Sequence, residues 1–84
     1  MKLADTEKDS QLFGKCGLLP EHDELKELSA GNYIRLKTES GNCFWAAILE
    51  RRGSRFICRM DDTADGLPRG SMLSCSCGEV FGII

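Results

Sequence analysis

From residue 32 onward the chain alternates apolar and polar side chains, and short glycine-containing breaks interrupt this alternation. Alternation with a period of two is typical of β-strands that bury one face. The breaks read ESGN, RRGS and TADGLPRG, and all three are rich in turn-forming residues. The sequence therefore predicts short strands, near residues 32–38, 43–50, 55–62, 71–77 and 79–84.

So many short strands in so short a stretch predict a small and strongly bent sheet. The fold class we predict is mainly β: a five-stranded SH3-like barrel or a strongly curved antiparallel sheet, with a short N-terminal helix. A chain of 84 residues allows one domain with a thin core. We assign residues 11–84 to that domain and the charged residues 1–10 to a flexible N-terminus.

The segment before the first strand is predicted to cover the sheet. The stretch PEHDELKELSAG indicates a short helix, because Pro20 and the acids after it suit a first turn and Gly31 suits the end. Its apolar residues Leu25 and Leu28 share one face. The stretch before it, QLFGKCGLLP, is predicted to be an irregular packed segment or a short strand.

The two short turns determine which side chains enter the core. A two-residue loop after Arg52 would place that residue directly opposite Arg55, so the sequence favours a three-residue loop, 51–53, ending in a left-handed glycine. The same pattern predicts a 39–41 loop. Both loops predict one core face, formed by Ile34, Leu36, Phe44, Ala46, Ile48, Phe56, Cys58 and Met60.

The opposite face carries the candidate binding residues. Neighbouring side chains on a strand point to opposite faces, so Trp45 lies outside when Phe44 lies inside. The predicted pairing places Trp45 between Arg35 on one neighbouring strand and Arg59 on the other. The candidate binding residues of this face are Trp45, Arg35, Arg59, Lys37 and Arg55.

Three interpretations of Trp45 stay open. A tryptophan between cationic side chains is a stacking platform for a base, a phosphate or an anionic peptide. Cation–π pairs of this kind also occur without any ligand, where they only cover the surface of a sheet. A third arrangement buries Trp45 beneath the N-terminal helix.

Composition bears on the compartment and on the class of partner. The formal net charge of −2 gives no bulk attraction to nucleic acid or to a membrane, although seven basic residues face six acidic ones after residue 30. The stretch MKLADTEKDS is too polar for a signal peptide, and no apolar run is long enough to cross a membrane. Five irregularly spaced cysteines favour reduced thiols and a cytoplasmic location.

The polar and sulfur-containing residues predict neither catalysis nor a metal site. Cys75 and Cys77 lack the two-residue spacer of zinc motifs, and both are predicted to face the core with Leu73. Cys16 and His22 carry no local signature of a nucleophile and its base. The acidic stretch MDDTADG lacks the closing Glu of a calcium loop. We therefore predict no enzymatic activity and no cofactor.

A spaced series of residues runs through the β-rich part of the chain: Phe44, Trp45, Gly53, Asp61, Asp62, Gly66, Leu67, Gly70, Val80 and Ile83. This order resembles the bacterial YegJ-like family, a domain family of unknown function, over about residues 31–84. The resemblance implies a small barrel-like β domain, often cytosolic, with no established activity and no catalytic residues. The chain departs from the family pattern at Ser71, where an Asp usually follows the glycine, and in the MDD turn, which lacks an asparagine.

Together these patterns predict a non-enzymatic binding module that recognises a protein or peptide through the Trp45 face. Single-stranded nucleic-acid binding by the same face is one alternative, and a metal-stabilised structural protein is another. We expect a monomer or a weak dimer, because an exposed edge at residues 71–77 would allow two copies to pair but nothing in the sequence requires it.

Overall fold

The computed structural model describes residues 2–6 and 22–83. The predicted packed segment QLFGKCGLLP and Cys16 lie outside the described residues, as does the side chain of His22. The prediction of a mainly β chain is confirmed. The elements are the helix α1 (His22–Lys26), the strands β1 (Tyr33–Lys37), β2 (Cys43–Arg52), β3 (Arg55–Met60), β4 (Met72–Ser76) and β5 (Gly82–Ile83), and one 3-10 turn at Cys77–Glu79.

The five strands form one antiparallel sheet in the order β4-β3-β2-β1-β5. Consecutive strands from β1 to β4 are neighbours, whereas β5 returns to pair with β1. The sheet is not closed, so β4 and β5 are its two edges. Within the described residues, no helix is long and apolar enough to cross a membrane.

All five strands lie where the alternation predicts them, but the last strand is shorter than predicted. The carboxylate of Glu79 accepts hydrogen bonds from the Ser76 amide at 2.8 Å and from the Ser76 hydroxyl at 3.1 Å. The Val80 amide donates back to Cys77 at 3.3 Å. These bonds close a 3-10 turn within the predicted strand segments, and β5 begins only at Gly82.

The first turn has the predicted three-residue geometry. Thr38 and Asn42 close it, with the Thr38 amide donating to Asn42 at 2.8 Å and the Gly41 amide donating to Thr38 at 3.0 Å. Gly41 has a φ of 101°, a left-handed conformation that side chains with a Cβ rarely adopt. The loop 39–41 is therefore confirmed.

The second turn differs from the predicted loop at 51–53. Arg52 pairs with Arg55, so the loop has two residues and Gly53 takes its first central position with a φ of 60°. The like charges are tolerated because each guanidinium has another partner. Arg52 forms an exposed salt bridge with Glu50 at 3.2 Å, and Arg55 donates to the Ser74 hydroxyl at 2.9 Å.

A β-bulge in β2 compensates for the shorter turn. Ile48 pairs with Cys58, but Glu50 pairs with Ile57, so Leu49 is an extra residue in the ladder. A one-residue change reverses the faces of a strand, and the turn and the bulge together restore them. The predicted core face is confirmed, and all of its members are buried: Ile34, Leu36, Phe44, Ala46, Ile48, Phe56, Cys58 and Met60.

The bulge turns Arg51 towards the core side of the sheet, where it contacts the end of α1. Its guanidinium carbon lies 5.1 Å from the centre of the Phe56 ring, and its Nε donates to the Gly53 carbonyl at 2.8 Å. Its Nη1 donates to three main-chain carbonyls, those of Leu25 at 2.8 Å, Lys26 at 3.0 Å and Leu28 at 2.9 Å.

The helix lies over the core face, not over Trp45. Leu28 is buried in the core, and Leu25 packs against it in part. Residues 2–4 add to the same assembly, because the Ala4 amide donates to Lys37 at 2.7 Å and Leu3 forms a bridge with Thr38. The predicted flexibility of residues 1–10 stays a prediction.

Candidate functional site

The surface opposite the core is the candidate site, and we call it the outer face. Its side chains alternate along each strand with the buried ones. They lie on β1 to β4, so four strands build the surface. Its residues are Tyr33, Arg35, Lys37, Trp45, Ala47, Arg55, Ile57, Arg59, Met72 and Ser74.

Trp45 lies on this face and is half-buried, whereas Phe44 is enclosed in the core. Its main chain is fixed by the loop after β3. The Trp45 amide donates to the Asp62 carboxylate at 3.0 Å, and the Trp45 carbonyl accepts from the Asp61 amide at 2.8 Å. The described part of the N-terminal segment, residues 22–28, lies on the other side of the sheet.

Arg35 is the direct neighbour of Trp45 on β1, as predicted. Arg59 is not the neighbour on β3, and this part of the prediction is wrong. Arg59 pairs with Ala47 because the turn and the bulge together shift the β2–β3 pairing by two residues. Trp45 therefore has one arginine beside it and a second on a diagonal across the sheet.

A straight row of side chains crosses the outer face next to Trp45. Tyr33 pairs with Ala47, Ala47 with Arg59, and Arg59 with Met72. Tyr33 is 39% exposed and Met72 is 60% exposed, whereas Ala47 is only 9% exposed. The small alanine thus lies beneath longer neighbours, and the row forms an uneven apolar surface around one arginine.

The two arginines nearest Trp45 have no carboxylate partner among the described residues. Arg59 is exposed and forms no salt bridge there. Arg35 lies across Gly82, where an added Cβ would be 3.4 Å from the Arg35 Cβ and 3.6 Å from its Nε. Because nearby acids do not neutralise them, both guanidinium groups can bind an anion.

The other two predicted residues lie towards the ends of the face. Lys37 pairs with Cys43, and its ammonium lies 5.8 Å from the centre of the Phe81 ring. Arg55 is next to the second turn, with its Nη2 on Ser74. The structure therefore brings Trp45, Arg35 and Arg59 together and leaves Lys37 and Arg55 at the margins.

Sequence reasoning missed Tyr33 and Met72 as members of this surface. Both alternate with core residues, so their strand parity places them outside. The alternation of apolar and polar residues therefore indicated their outward position. Their alignment with Arg59 depends on the bulge, which the sequence did not predict. Asp62 was missed for another reason, because a carboxylate that binds a main-chain amide leaves no pattern in the sequence.

Side chains of the acidic loop after β3 form hydrogen bonds with the first turn and with β2. Asp65 accepts hydrogen bonds from the Ser40 hydroxyl at 3.0 Å and the Asn42 amide group at 3.3 Å. Asp62 binds the Trp45 amide, and Asp61 faces Arg69 at 3.6 Å. In the described parts of the chain, no three potential ligands lie close enough together to hold a metal ion.

The cysteines of β3 and β4 form a buried thiol pair. The sulfur atoms of Cys58 and Cys75 are 3.9 Å apart, and both residues are fully enclosed. The hydrogen bond with Cys58, together with burial, raises the pKa of Cys75 well above its ordinary value. Cys77 begins the 3-10 turn, and it is half-buried and packs against the core as Leu73 does, so the predicted core-facing position is confirmed for Cys75 and in part for Cys77.

A separate concave region lies at the junction of α1 and the second turn. Its volume is about 340 Å³, and the Arg51 groups that reach it already donate to carbonyl oxygens. Its described lining includes the cationic residues Lys26 and Arg51 but no carboxylate or imidazole. Its lining residues are Leu25, Lys26, Arg51, Gly53, Ser54 and Cys77.

No protein-family model, no curated protein and no solved structure matches the chain. The resemblance to the YegJ-like family therefore stays a prediction that rests on the residues quoted above. The outer face has to be interpreted from its own chemistry.

Proposed function

We propose that the chain is a non-enzymatic binding module that recognises a protein or peptide through the outer face. The observation that carries this proposal is the row from Tyr33 to Met72 beside Trp45. Aromatic residues, methionine and arginine are the residue types enriched at protein interfaces and their energetic hot spots. Here they share one exposed surface.

The charges of the outer face favour an acidic partner. Arg35 and Arg59 are both exposed, and neither forms a salt bridge with a described residue. The stem of Arg35 lies across Gly82, so its position is held before any partner arrives. An acidic segment would gain charge-assisted hydrogen bonds at both arginines and apolar contacts at Trp45.

A pull-down with matched variants tests this proposal. Trp45→Ala and Arg35→Glu are expected to lose the proteins that the unmodified chain recovers, because each removes one part of the surface. Lys26→Glu is the control, since this exposed lysine lies at α1, on the other side of the sheet. Circular dichroism checks that all variants remain folded. Equal recovery by Trp45→Ala and the unmodified chain would contradict the proposal.

Binding of single-stranded nucleic acid by the same face is the second candidate. It is supported by Trp45, on which a base can stack, by Arg35 beside it and by Arg59 on the diagonal. The acidic N-terminal third, with seven acids against four lysines in residues 1–30, argues against it. A titration of mixed oligonucleotides at several salt concentrations decides, because phosphate contacts weaken steeply as salt rises. Absence of binding at low salt removes this candidate.

We also propose that the sheet is curved in the manner of an SH3-like fold. The connection from Ser76 to Gly82 supports this, since these residues lie on the two edge strands. With three residues in a 3-10 turn, the connection reaches about 16 Å at most. The edges of a flat five-stranded sheet would be about 19 Å apart. Strong curvature of the sheet would bring its two edges close enough for the connection to span them.

We further propose that the chain works in the cytoplasm as a monomer or weak dimer. The four described cysteines, which are Cys43, Cys58, Cys75 and Cys77, are free thiols. The close but unbonded pair in the core fits a reducing compartment.

A further inference from the structure

We propose that the free edge of β4 binds an extended acidic peptide, which adds to the sheet as a sixth strand. This inference rests on the proposed function and makes it more specific, because it names the binding mode and the chemical class of the partner. Three features support it: the direction of the β4 backbone groups, the composition of the edge and two arginines beside it.

The hydrogen-bonding pattern of β4 leaves every second residue without a main-chain bond to β3. The Cys77 amide donates to Ser54 at 3.0 Å, and the Met60 amide donates to Ser71 at 2.8 Å. Hydrogen-bonded pairs alternate along an antiparallel ladder, so the intervening bonded residues of β4 are Leu73 and Cys75. The amides and carbonyls of the residues between them must point away from β3.

These outward groups have no partner in the described part of the chain. The main-chain amides and carbonyls of Met72 and Ser74 make no hydrogen bond there, and both residues are exposed. The next outward amide, that of Ser76, is capped by Glu79. The free edge thus offers two adjacent donor–acceptor pairs at the spacing that a neighbouring strand requires.

The composition of β4 does not protect this edge. Exposed edge strands usually carry charged residues, Pro or a bulge, which prevent unwanted pairing. The strand reads MLSCS and has none of these. Met72, at 60% exposed, instead offers an apolar contact on the outer face. An edge left open in this way is suited to strand addition.

Two arginines give the added strand its charge preference. Arg55 and Arg59 lie on β3, on the same face as Met72 and Ser74. A strand beside β4 would place alternate side chains on that face, about 10 Å from the arginine backbone, and two long side chains can bridge this distance. Arg59 has no salt bridge with a described residue, so an acidic side chain would pair with it.

The same charges argue against a second copy as the occupant. β4 contains no acidic residue, so pairing of two copies would bring their arginines to one surface without a counter-charge. An acidic peptide both completes the ladder and neutralises the arginines. We therefore assign the edge to a different chain.

Amide hydrogen exchange measures the predicted contact directly. The probe is a short peptide in which Glu alternates with Thr, and the comparison is the same peptide with Lys in place of Glu. Saturation with the Glu peptide is expected to slow exchange at Met72 and Ser74 by about tenfold or more, because each amide gains a hydrogen bond. Leu73 and Cys75, already bonded to β3, should change little. Equal slowing by the Lys peptide would overturn the charge preference.

Ser74→Pro tests the edge by mutation. It removes an outward amide and no main-chain bond of the β3–β4 ladder, and proline is tolerated at such edge positions. It also removes the hydroxyl that accepts from Arg55, so Ser74→Ala, which removes the hydroxyl alone, is the matched control. Affinity for the Glu peptide is expected to fall about tenfold, and Arg59→Glu should weaken it similarly, whereas Lys26→Glu should not. If Ser74→Pro fails to fold, peptides N-methylated at alternate residues replace it. Methyl groups in one alternation should abolish binding, and those in the other should not.

Three outcomes separate this inference from the proposed function. Unchanged exchange at Met72 and Ser74 with saturating Glu peptide overturns the edge site, even if Trp45→Ala still loses its partner. Protection of the edge that persists in Trp45→Ala supports the edge site while contradicting a role for Trp45. Protection that rises with protein concentration, without any peptide, identifies a second copy as the occupant and overturns the acidic peptide.

Discussion

Arg51 is a charged residue whose acceptors are all main-chain carbonyls. Its guanidinium donates to Gly53 and to three carbonyls at the end of α1, and it lies over the Phe56 ring. Hydrogen bonds from a charged donor stabilise a fold by about 1.5–3 kcal/mol. The carbonyls at a helix end also carry partial negative charge, which favours a cation there.

We expect Arg51→Ala to lower the free energy of unfolding by about 2–3 kcal/mol, because it removes these bonds and leaves carbonyls half-buried. Arg52→Ala is the matched control. The side chain of Arg52 is 70% exposed, and among the described residues it forms a salt bridge with Glu50 alone. An exposed salt bridge of this kind contributes about 0–1 kcal/mol. Urea unfolding of both variants provides the comparison. Equal losses for the two neighbours would contradict the role of Arg51.

The sequence predicts single residues well where strand parity decides their position. Alternation places Phe44 and Trp45 on opposite faces. The loop 39–41, which pairs Phe44 with Leu36, assigns Phe44 to the buried face. Arg51 could not be predicted in this way, because it reads as one of two exposed arginines before a turn. Arg51 faces inward only because β2 contains an extra residue. The β2 sequence ends in LERR, and its pattern of apolar and polar residues does not show where an extra residue lies.

At the scale of elements, the β2–β3 hairpin combines a two-residue turn with a bulge at Leu49. With the sequence unchanged, each feature alone would reverse one half of the hairpin. Together they keep Phe44 and Phe56 on the same face. The pairing predicted from the sequence included neither the two-residue turn nor the bulge. It therefore assigned the correct residues to the core face but gave the wrong β2–β3 partners. Face prediction depends only on parity, whereas partner prediction depends on every residue between the strands.

Deletion of Leu49 is expected to keep cooperative unfolding. Without the extra residue, Ile48 and Glu50 become neighbours on β2, and their partners on β3 are already neighbours, so Phe44 and Phe56 keep the same face. Leu49→Ala should cost about 1 kcal/mol or less, because this side chain is 42% exposed and the bulge remains. Circular dichroism and urea titration compare the two variants. A deletion variant that loses cooperative unfolding would contradict the assignment of Leu49 as the extra residue.

At the scale of the whole molecule, the buried thiols link stability to pH. The ordinary thiol pKa is 9.0, and in the folded chain the pKa of Cys75 is raised far above it. Above pH 9.0 the unfolded chain therefore loses a proton that the folded chain keeps. The favourable contribution is complete below that pH and decreases progressively as the pH rises from 9.0 towards the raised pKa of the folded chain, so alkali favours unfolding.

We expect the free energy of unfolding to fall above pH 9.0 by up to about 1.4 kcal/mol per pH unit from this thiol. Cys75→Ala should reduce that slope, although it also lowers stability at neutral pH. Cys43→Ser, which alters an exposed cysteine, should leave the slope unchanged. Urea midpoints on either side of pH 9.0 measure the effect. An unaltered slope in Cys75→Ala would rule out this thiol as its source.

The attachment of α1 through Arg51 has a consequence for how the chain tolerates substitutions. Arg51 binds main-chain carbonyls, which every residue type supplies, and it forms no hydrogen bond with the described polar side chains of α1, those of residues 23–26. The exposed positions of the helix can therefore change in charge and size without loosening it. The attachment requires only the backbone path at residues 25–28 and the buried Leu28. The exposed residues of the helix can therefore vary in sequence while its contact with Arg51 is kept.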